Sequence, residues 1–330
     1  HMWSVWKGGW VEEYLKPHNI ARFMSEYGFI SYPDMFTLRK FVPEWDMERD
    51  SPTMLAHHRA YDDVTRDPEF SNKMISRYLN RYVWVPERFE DFVYMTQWFQ
   101  AETIKVAVEA HRRAKPYCMG TLFWQLNDCW PSISWSSIDY YGRWKALHYY
   151  VRRAYAPVMV SPYAAEDGMI SIKAISDLPE KFEGVVEIYV LDFDGTVVRR
   201  DDVEFRTGSN ECKDIFAMSP ALLEGNRLLY LRLYSGNQYI GDNIYFSRFP
   251  NSYDYSDPAI RKEITATEDG YIIDVTSDNL VRGLYLFTDN ENDIFNDNYI
   301  DVIPGFTRRI HVRTDKTENE FITTLKFHTL

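Results

Sequence analysis

The pattern of apolar residues changes near residue 157, and this change constrains the fold more than any other feature of the sequence. Before it, one long helical pattern lies among short apolar runs, whereas short alternating segments dominate after it. The helical pattern runs from Phe89 to Lys115, with acidic residues in its first turn and basic residues in its last, and Pro116 stops it. Apolar stripes on two of its sides predict a helix covered from two directions. A shorter helix is predicted near residues 72–82.

Two apolar runs flank the long helix and carry polar residues at their ends. Residues 20–27 contain Glu26 near their end, and residues 119–126 lead into Asn127. The order strand, helix, strand predicts a βαβ unit with parallel strands. A (β/α)8 barrel builds its active site from polar residues at the C-terminal ends of such strands. We therefore predict an α/β unit over residues 1–156 that is a partial TIM barrel, containing its last strands and helices.

After residue 157 the chain predicts an all-β structure. Apolar residues alternate over 170–174, 186–190 and 229–233, and again over 271–275 and 310–312. Turn signals separate these runs, at residues 194–195 and 235–237 among others. Regular short strands at this spacing are typical of antiparallel β-sandwiches. We predict two of them, one over residues 157–249 and a second, smaller one over residues 250–330.

Composition and charge exclude several classes of function. The formal charge of −12 argues against a nucleic-acid partner, which would need a basic surface. The apolar runs fall well short of the roughly 20 residues that span a bilayer, so we expect no membrane helix. The three cysteines form no CxxC pair, and the acidic stretch 289–293 has Ile294 where a calcium loop needs Gly. We predict no metal, no cofactor and no disulfide framework.

Two segments could carry chemistry. Glu26 at the end of a buried strand suits a rigidly held nucleophile, although a surface turn or a helix N-cap would use the same residues. Trp124 and its neighbours combine indole faces with planar polar side chains, the mixture that a sugar-binding site needs. A buried, aromatic strand end is the alternative for this second segment.

The chain resembles the β-mannosidases of glycoside hydrolase family 2 in three separated segments. Residues 22–29 (RFMSEYGF) are similar to the family's nucleophile segment. Residues 124–128 (WQLND) and 134–137 (SWSS) resemble its final barrel strand and the following loop, and the likeness continues through 145–149 (KALHY) to 156–157 (AP). Residues 295–299 (FNDNY), followed by 304–305 (PG), are similar to the family's C-terminal immunoglobulin-like module. The resemblance implies that both predicted sandwiches are immunoglobulin-like.

The resemblance also implies a retaining mechanism that acts on terminal, non-reducing β-D-mannose residues. Glu26 would be the catalytic nucleophile and would form a covalent glycosyl-enzyme. Trp124 would be the platform under the sugar ring, with Asn127 and Asp128 as further substrate-binding residues. Tyr27 beside the nucleophile joins this set. Trp3 and Trp6 resemble the family's Trp-x-Val-Trp loop near the pocket, and we assign Trp6 to substrate binding.

The same resemblance places the family's acid/base in an Asn-Glu motif upstream of the nucleophile, where this chain has none. Glu12 and Glu13 do not match that motif. We therefore expect a C-terminal fragment that has little or no activity alone and self-associates through its truncated barrel. His1 and Met2 look like a cloning scar. Family habit implies a periplasmic, secreted or lysosomal setting.

Two other functions compete with β-mannoside hydrolysis. Exo-β-glucosaminidases, and other family 2 glycosidases, share a related segment around Trp124, so the sugar could differ. Alternatively, the sandwiches form a non-catalytic carbohydrate-binding module, in which case residues 157–330 bind glycans and Glu26 is irrelevant. A panel of aryl glycosides separates the two enzymes, and glycan binding by the sandwiches alone tests the module.

Overall fold

A computed structural model describes residues 1–60 and 67–330 of the chain. Strands predominate, and the α-helices lie mainly before residue 157. The helices are α1 (Met35–Phe41), α2 (Pro52–Ala56), α3 (Phe70–Tyr82), α4 (Phe89–Arg113), α5 (Ala146–Ala154) and α6 (Glu318–Thr324). Short 3-10 segments span Val11–Leu15, Pro17–Asn19, Glu44–Asp46, Pro220–Leu223 and Pro250–Ser252.

In the described part of the chain, the named strands all follow α5. In chain order they are β1 (Val158–Ala164), β2 (Ile170–Ser176), β3 (Phe182–Asp192), β4 (Val197–Thr207), β5 (Cys212–Met218), β6 (Arg227–Ser235), β7 (Gln238–Tyr245), β8 (Arg261–Thr267), β9 (Gly270–Thr276), β10 (Val281–Phe287), β11 (Ile294–Phe295), β12 (Ile300–Val302), β13 (Arg308–Arg313) and β14 (Lys326–His328). The alternating segments of the sequence thus form strands, as predicted.

These strands build two antiparallel sandwiches. In the first, the sheet β1-β2-β5 faces the sheet β4-β3-β6-β7, and apolar residues of both sheets share one core. In the second, the sheet β11-β13-β9-β8 shares a core with β12-β10-β14 and with α6. A smaller apolar cluster that includes Phe193, Tyr253 and Leu280 lies at the junction of the two sandwiches. Turns at Gly195 and Gly236 join paired strands, and both glycines have the positive φ that such turns favour.

Helix α4 confirms the predicted long helix but ends two residues earlier, at Arg113. The residue before a proline is disfavoured in helical conformation, so the turn that precedes Pro116 leaves the helix. Eighteen of its twenty-five residues are buried, which shows that neighbours cover it on more than two sides. The helix packs on α5, and its side chains also reach both sandwiches. Helix α3 begins at Phe70, close to its predicted position.

The two predicted strands that flank α4 are not regular strands. Residues 20–27 and 119–126 are extended segments joined by a single parallel bridge between Met24 and Thr121. Among the described residues, no named strand pairs with either segment. A strand ladder needs repeated pairing over several residues, and one pair of short segments supplies only a few such bonds. The described residues before 157 therefore show helices and extended segments rather than a recognisable sheet.

Candidate active site

The segments that carry Glu26 and Trp124 run side by side in parallel. The Met24 amide donates to the Gly120 carbonyl at 2.8 Å, and the Leu122 amide donates to the Met24 carbonyl at 2.8 Å. Further along, the Trp124 amide donates to the carbonyl of Tyr27 at 2.7 Å. Because the segments are parallel and in register, Glu26 and Trp124 lie at the same end of the pair.

Gly28 allows the two segments to approach this closely. A Cβ atom at this position would stand 2.3 Å from the Trp124 carbonyl oxygen and 3.1 Å from the Trp135 ring. The ring of Trp3 is 3.2 Å from the same point. The three tryptophans therefore converge on the backbone just after Glu26, and any side chain at residue 28 would push them apart.

The carboxylate of Glu26 is half-buried and hydrogen-bonded. Its Oε2 atom accepts a hydrogen bond from the indole Nε1 of Trp3 at 2.9 Å and lies 3.1 Å from Nδ1 of His1. The backbone carbonyl of Glu26 accepts from the Met2 amide at 2.7 Å. The side chain keeps 25% of its surface exposed. The backbone of Glu26 is thus fixed by Met2 and its carboxylate is oriented by Trp3, while the side chain remains accessible to a ligand.

Tryptophan side chains form one wall beside Glu26. Trp135 makes edge-to-face contacts with Trp3 and Trp6, at ring-centroid distances of 6.0 and 6.1 Å. Trp6 is only 5% exposed and packs between Trp135 and Phe29, so it belongs to the core beneath the site rather than to its surface. Trp124 is 42% exposed and presents the open indole face that a sugar ring could stack on.

The loop after Trp124 folds back on the same segment. The Trp124–Gln125 peptide bond is cis. The amide of Gln125 donates to the carbonyl of Trp135 at 3.2 Å, and the amide of Ser137 donates to the carbonyl of Gln125 at 3.0 Å. This pairing brings Trp135 beside Trp124, although they are eleven positions apart in the sequence.

Asp128 and Asn127 have opposite environments. The buried carboxylate of Asp128 accepts hydrogen bonds from the hydroxyls of Ser134 at 2.8 Å and Ser136 at 2.6 Å, and from the side-chain Nε2 of Gln125 at 3.2 Å. Asn127 is exposed, and its Nδ2 donates only a long bond to the Asp128 carbonyl, at 3.3 Å. Asp128 therefore holds the loop together from inside, whereas Asn127 has a side chain free to meet a ligand.

Lys145 ties this loop to the chain that leaves Glu26. Its buried ammonium donates to the carbonyls of Ser31 and Ser134, both at 3.1 Å. Burial lowers the pKa of Lys145 to about 8, and the nearby carboxylates of Asp128 and Asp139 oppose that shift. A buried cation beneath the loop complements the buried carboxylate of Asp128.

Tyr27 lies on the other side of the segment from Glu26. Its ring is fully buried, and its hydroxyl is 2.7 Å from the hydroxyl of Thr121. Burial raises its pKa well above the usual range. This placement in the core separates Tyr27 from the surface that Glu26 and Trp124 share, so any role in substrate binding would be through the backbone.

The acidic stretch 289–293 of the second sandwich reaches the loop region that follows this site. The carbonyl of Glu291 accepts from Arg143 at 2.7 Å, and its carboxylate pairs with Arg143 and, at 2.9 Å, with Lys40. Glu291 thus connects α1 and the loop of residues 139–144 to the second sandwich. Across the described residues, no group of three or more His, Cys, Asp or Glu side chains has the arrangement of a metal site.

Sequence reasoning had found most of these residues separately, but it missed two contacts. The bond between Trp3 and Glu26 joins residues far apart in sequence, and the only signal for Trp3 was the likeness of its loop to the family. Trp135 was named only within the segment 134–137 that resembles the family's loop, and its position beside Trp124 depends on the fold of that loop. In the described part of the chain, none of the helices is both long and apolar enough to cross a membrane.

Comparisons with known proteins identify relatives over the whole chain. The family model described as "Mannosidase Ig/CBM-like domain" matches residues 168–250, and one described as "Ig-fold domain" matches residues 255–330. β-Mannosidase A of Aspergillus oryzae is 27% identical over 343 aligned positions, which cover 92% of this chain and 37% of that protein.

Solved structures give the same picture. The β-D-mannosidase of Dictyoglomus thermophilum superposes with a TM-score of 0.87 at 27% identity, covering all of this chain and 40% of that one. An exo-chitosanase of Amycolatopsis orientalis shares the fold, with a TM-score of 0.69 at 16% identity over 93% of this chain and 41% of the other. The chain spans about two fifths of the length of these relatives. Together these comparisons support a β-mannosidase of glycoside hydrolase family 2, of which this chain covers part.

Proposed function

We propose that this chain supplies the nucleophile side of a retaining, exo-acting β-mannosidase active site. Glu26 attacks the anomeric carbon of a terminal, non-reducing β-D-mannose residue while the bond to the leaving oxygen breaks. A second carboxyl group gives its proton to that oxygen and later takes one from the water that hydrolyses the glycosyl-enzyme. The observation that carries the proposal is the half-buried carboxylate of Glu26, oriented by Trp3 beside the exposed face of Trp124.

The surroundings of Glu26 suit a nucleophile. The hydrogen bond from the indole N–H of Trp3 fixes the direction in which the carboxylate of Glu26 points. The oxygen that Trp3 leaves free can then attack, and the ring of Trp124 can hold the sugar against it. Asn127 is exposed close by and is assigned to a sugar hydroxyl, whereas Asp128 acts by shaping the loop.

In this proposal residues 1–156 are the last strands and helices of a (β/α)8 barrel. The parallel contact between Met24 and Thr121, with α4 between the two segments in sequence, supports that assignment. Residues 157–249 and 250–330 are then the two immunoglobulin-like sandwiches. We assign the activity and the substrate to the whole enzyme rather than to this chain alone. The periplasmic, secreted or lysosomal setting is likewise proposed for the whole enzyme.

We further propose that these 330 residues have little activity alone. A retaining glycosidase needs a second carboxyl group about 5–5.5 Å from the nucleophile. The family's Asn-Glu motif has no counterpart upstream of Glu26 in this sequence. Loss of general acid assistance costs about 10²–10⁴-fold in rate. Efficient turnover of an aryl β-mannoside by the purified chain would contradict this part of the proposal.

Self-association is proposed for the same chain. Phe23, Met119, Leu122 and Leu126 are large apolar side chains of the two extended segments and are each about half exposed. Apolar surface of this kind favours contact with a second copy. Sedimentation velocity should show a monomer–dimer equilibrium that weakens when Leu122 and Leu126 are changed to Ser. A strictly monomeric wild-type chain at high concentration would refute the idea.

Covalent trapping tests the nucleophile directly. In the full-length protein that carries this chain, a 2-deoxy-2-fluoro β-mannoside with a good leaving group should label one peptide, at Glu26. Glu26→Gln should abolish labelling and turnover. Glu13→Gln, in which the nearby carboxylate loses its exposed pair with Lys16, is the matched control and should keep both. Labelling of any other carboxylate overturns the assignment.

The alternative substrate is a β-glucosaminide. The fold shared with the exo-chitosanase motivates it, and the sugar is decided by activity on paired aryl substrates. Faster hydrolysis of an aryl β-mannoside than of the aryl β-glucosaminide is the expected result. The opposite order would leave Glu26 as the nucleophile but would assign the enzyme to β-glucosaminides instead of β-mannosides.

A further inference from the structure

The hydroxyl of Thr121 is the centre of a partly buried hydrogen-bond network on the core side of Glu26. It lies 2.7 Å from the hydroxyl of Tyr27 and 2.8 Å from Nδ1 of His111. The hydroxyl of Tyr155 donates to the carbonyl of Thr121 at 3.0 Å and is 3.3 Å from that of Tyr27. Three elements meet here: the two parallel segments and the last turn of α4, with Tyr155 directly after α5.

Packing restricts the ring of Tyr27 as tightly as the hydrogen bonds restrict its tip. The ring makes an edge-to-face contact with His111 at a centroid distance of 4.8 Å and another with Tyr14 at 5.8 Å. Burial lowers the pKa of His111 to about 4, so its imidazole is neutral near neutral pH. One of its nitrogens can therefore accept the proton of a hydroxyl.

The donors and acceptors of this network can all be satisfied in one arrangement. Tyr155 uses its proton on the backbone carbonyl of Thr121. If His111 accepts the Thr121 proton at Nδ1, then Tyr27 donates to the Thr121 oxygen, and the proton of every hydroxyl in the network has an acceptor. A Val at residue 121 would have the same shape but would leave Nδ1 of His111 without this partner and Tyr27 with only its 3.3 Å contact to the hydroxyl of Tyr155.

Tyr27 transmits this restraint to the two residues that form the candidate site. It follows Glu26 directly, and its carbonyl accepts the amide of Trp124. Successive side chains of an extended segment point in opposite directions, so fixing Tyr27 in the core fixes the direction in which Glu26 leaves the segment. The same residue thereby sets the separation of Glu26 from Trp124.

We propose that Thr121 is a positioning residue, which aligns the carboxylate of Glu26 with the sugar platform of Trp124 by anchoring Tyr27. This inference rests on the proposed function of Glu26 as nucleophile. Thr121 touches neither the substrate nor the reacting atoms. Its contribution therefore belongs to the chemical step rather than to ground-state binding, because a displacement of about 1 Å can cost 10²-fold in rate.

The test compares Thr121→Val with Thr121→Ser in the full-length protein that carries this chain, using an aryl β-mannoside. Val removes the hydroxyl and keeps the shape, and we expect kcat to fall about 10- to 100-fold with KM within about threefold. Ser restores the hydroxyl and should keep kcat within about threefold of the wild type. A merely structural role would lower Tm in both variants and would not separate kcat from KM.

Two further variants keep the inference decidable if Thr121→Val folds poorly. Tyr27→Phe removes the other end of the hydrogen bond and should lower kcat to a similar extent. Tyr155→Phe is the matched control, since it removes a neighbouring hydroxyl and leaves the bonds of Tyr27 and His111 to Thr121 in place. Its kcat should stay near the wild-type value, and a loss equal to that of Thr121→Val overturns the inference.

The outcome also separates this inference from the function on which it rests. If Glu26 is labelled by the fluorinated mannoside but Thr121→Val keeps full kcat, positioning by Thr121 is wrong and the nucleophile assignment stands. If the wild-type protein is labelled elsewhere, both are wrong. Labelling at Glu26 that is slowed in Thr121→Val and restored in Thr121→Ser supports both.

Discussion

Single residues around the candidate site divide into those that are exposed at its surface and those that hold the loop from inside. Asp128 and Asn127 are adjacent and were both predicted to bind substrate, yet only Asn127 is exposed. The carboxylate of Asp128 satisfies Ser134 and Ser136 inside the loop. Buried polar groups of this kind cost free energy when their partner is removed, even though the intact pair contributes modestly.

Removal of these two side chains should have different effects on stability. Asp128→Ala leaves the hydroxyls of Ser134 and Ser136 with less than their full set of partners, and we expect the free energy of unfolding to fall by about 2–4 kcal/mol. Asn127→Ala should change it by less than about 0.5 kcal/mol. Urea denaturation of the chain measures both. Equal effects would show that the loop does not depend on the Asp128 carboxylate.

His111 should make the chain less stable in acid. Burial holds its pKa at about 4 in the folded state, below the value of about 6.5 in an unfolded chain. Between those two values the unfolded state binds more protons, so stability falls as the pH drops from 6.5 to 4, by about 3 kcal/mol for this residue. Urea unfolding at pH 7, 5.5 and 4.5 should show this loss, and His111→Gln should flatten it. An unchanged slope in the variant would assign the acid sensitivity to other groups.

At the scale of elements, the sequence predicts those whose pattern is decided locally. Helix α4 carries its own charge signals and stop at Pro116, and β3 or β9 alternates over a whole strand, so each was predictable. Residues 20–27 have a similar apolar content, but their conformation depends on pairing with residues 119–126, nearly 100 positions away. The contact of Trp3 with Glu26 is likewise created by tertiary structure, and only a family likeness drew attention to Trp3.

Strand β10 contacts α4 at a glycine that leaves no space for a side chain. Gly283 has a φ of +63°, and a Cβ atom there would stand 2.6 Å from the Trp98 ring and 2.7 Å from the Tyr94 hydroxyl. Tyr94 also donates to the carbonyl of Gly283 at 2.8 Å. Strand and helix are therefore in direct backbone-to-ring contact.

Gly283→Ala should lower the free energy of unfolding by about 3 kcal/mol, from strained backbone and overpacking together. Gly305→Ala is the matched control, because its φ is +83° and its Cβ would point into open space. That change should cost only about 1 kcal/mol, the strain alone. Thermal or urea unfolding compares the two, and equal losses would mean that the contact with α4 can relax.

On the scale of the whole molecule, α4 binds both sandwiches to the N-terminal part of the chain. Glu109 on this helix is buried and accepts hydrogen bonds from Ser161 at 2.6 Å and Asn243 at 3.1 Å in the first sandwich. Burial alone would raise the pKa of Glu109, but Lys105 and Arg113 outweigh it and the pKa is lowered. The charged carboxylate of Glu109 thus lies between α4 and the first sandwich, where cations and hydrogen-bond donors surround it.

Glu109→Ala should destabilise the chain by about 3–5 kcal/mol, because it leaves two partly buried cations and the buried donors Ser161 and Asn243 without their partner. Glu90→Ala on the same helix removes an exposed carboxylate paired with Arg88 at 3.2 Å and should cost less than about 1 kcal/mol. Unfolding curves measure the difference. Hydrogen exchange should also rise in β1 and β7 of the Glu109 variant, and unchanged exchange there would argue that the sandwich is stable without this contact.

The enclosure of α4 has a consequence for any attempt to divide the protein. A piece beginning at residue 157 would keep every sandwich strand but would lose the side chains that fill and neutralise the faces turned toward the helix. Ser161, Asn243 and the backbone at Gly283 would meet water where they now meet Glu109 and Tyr94. The two sandwiches therefore depend on α4 for part of their packing, and we do not expect them to behave as independent domains.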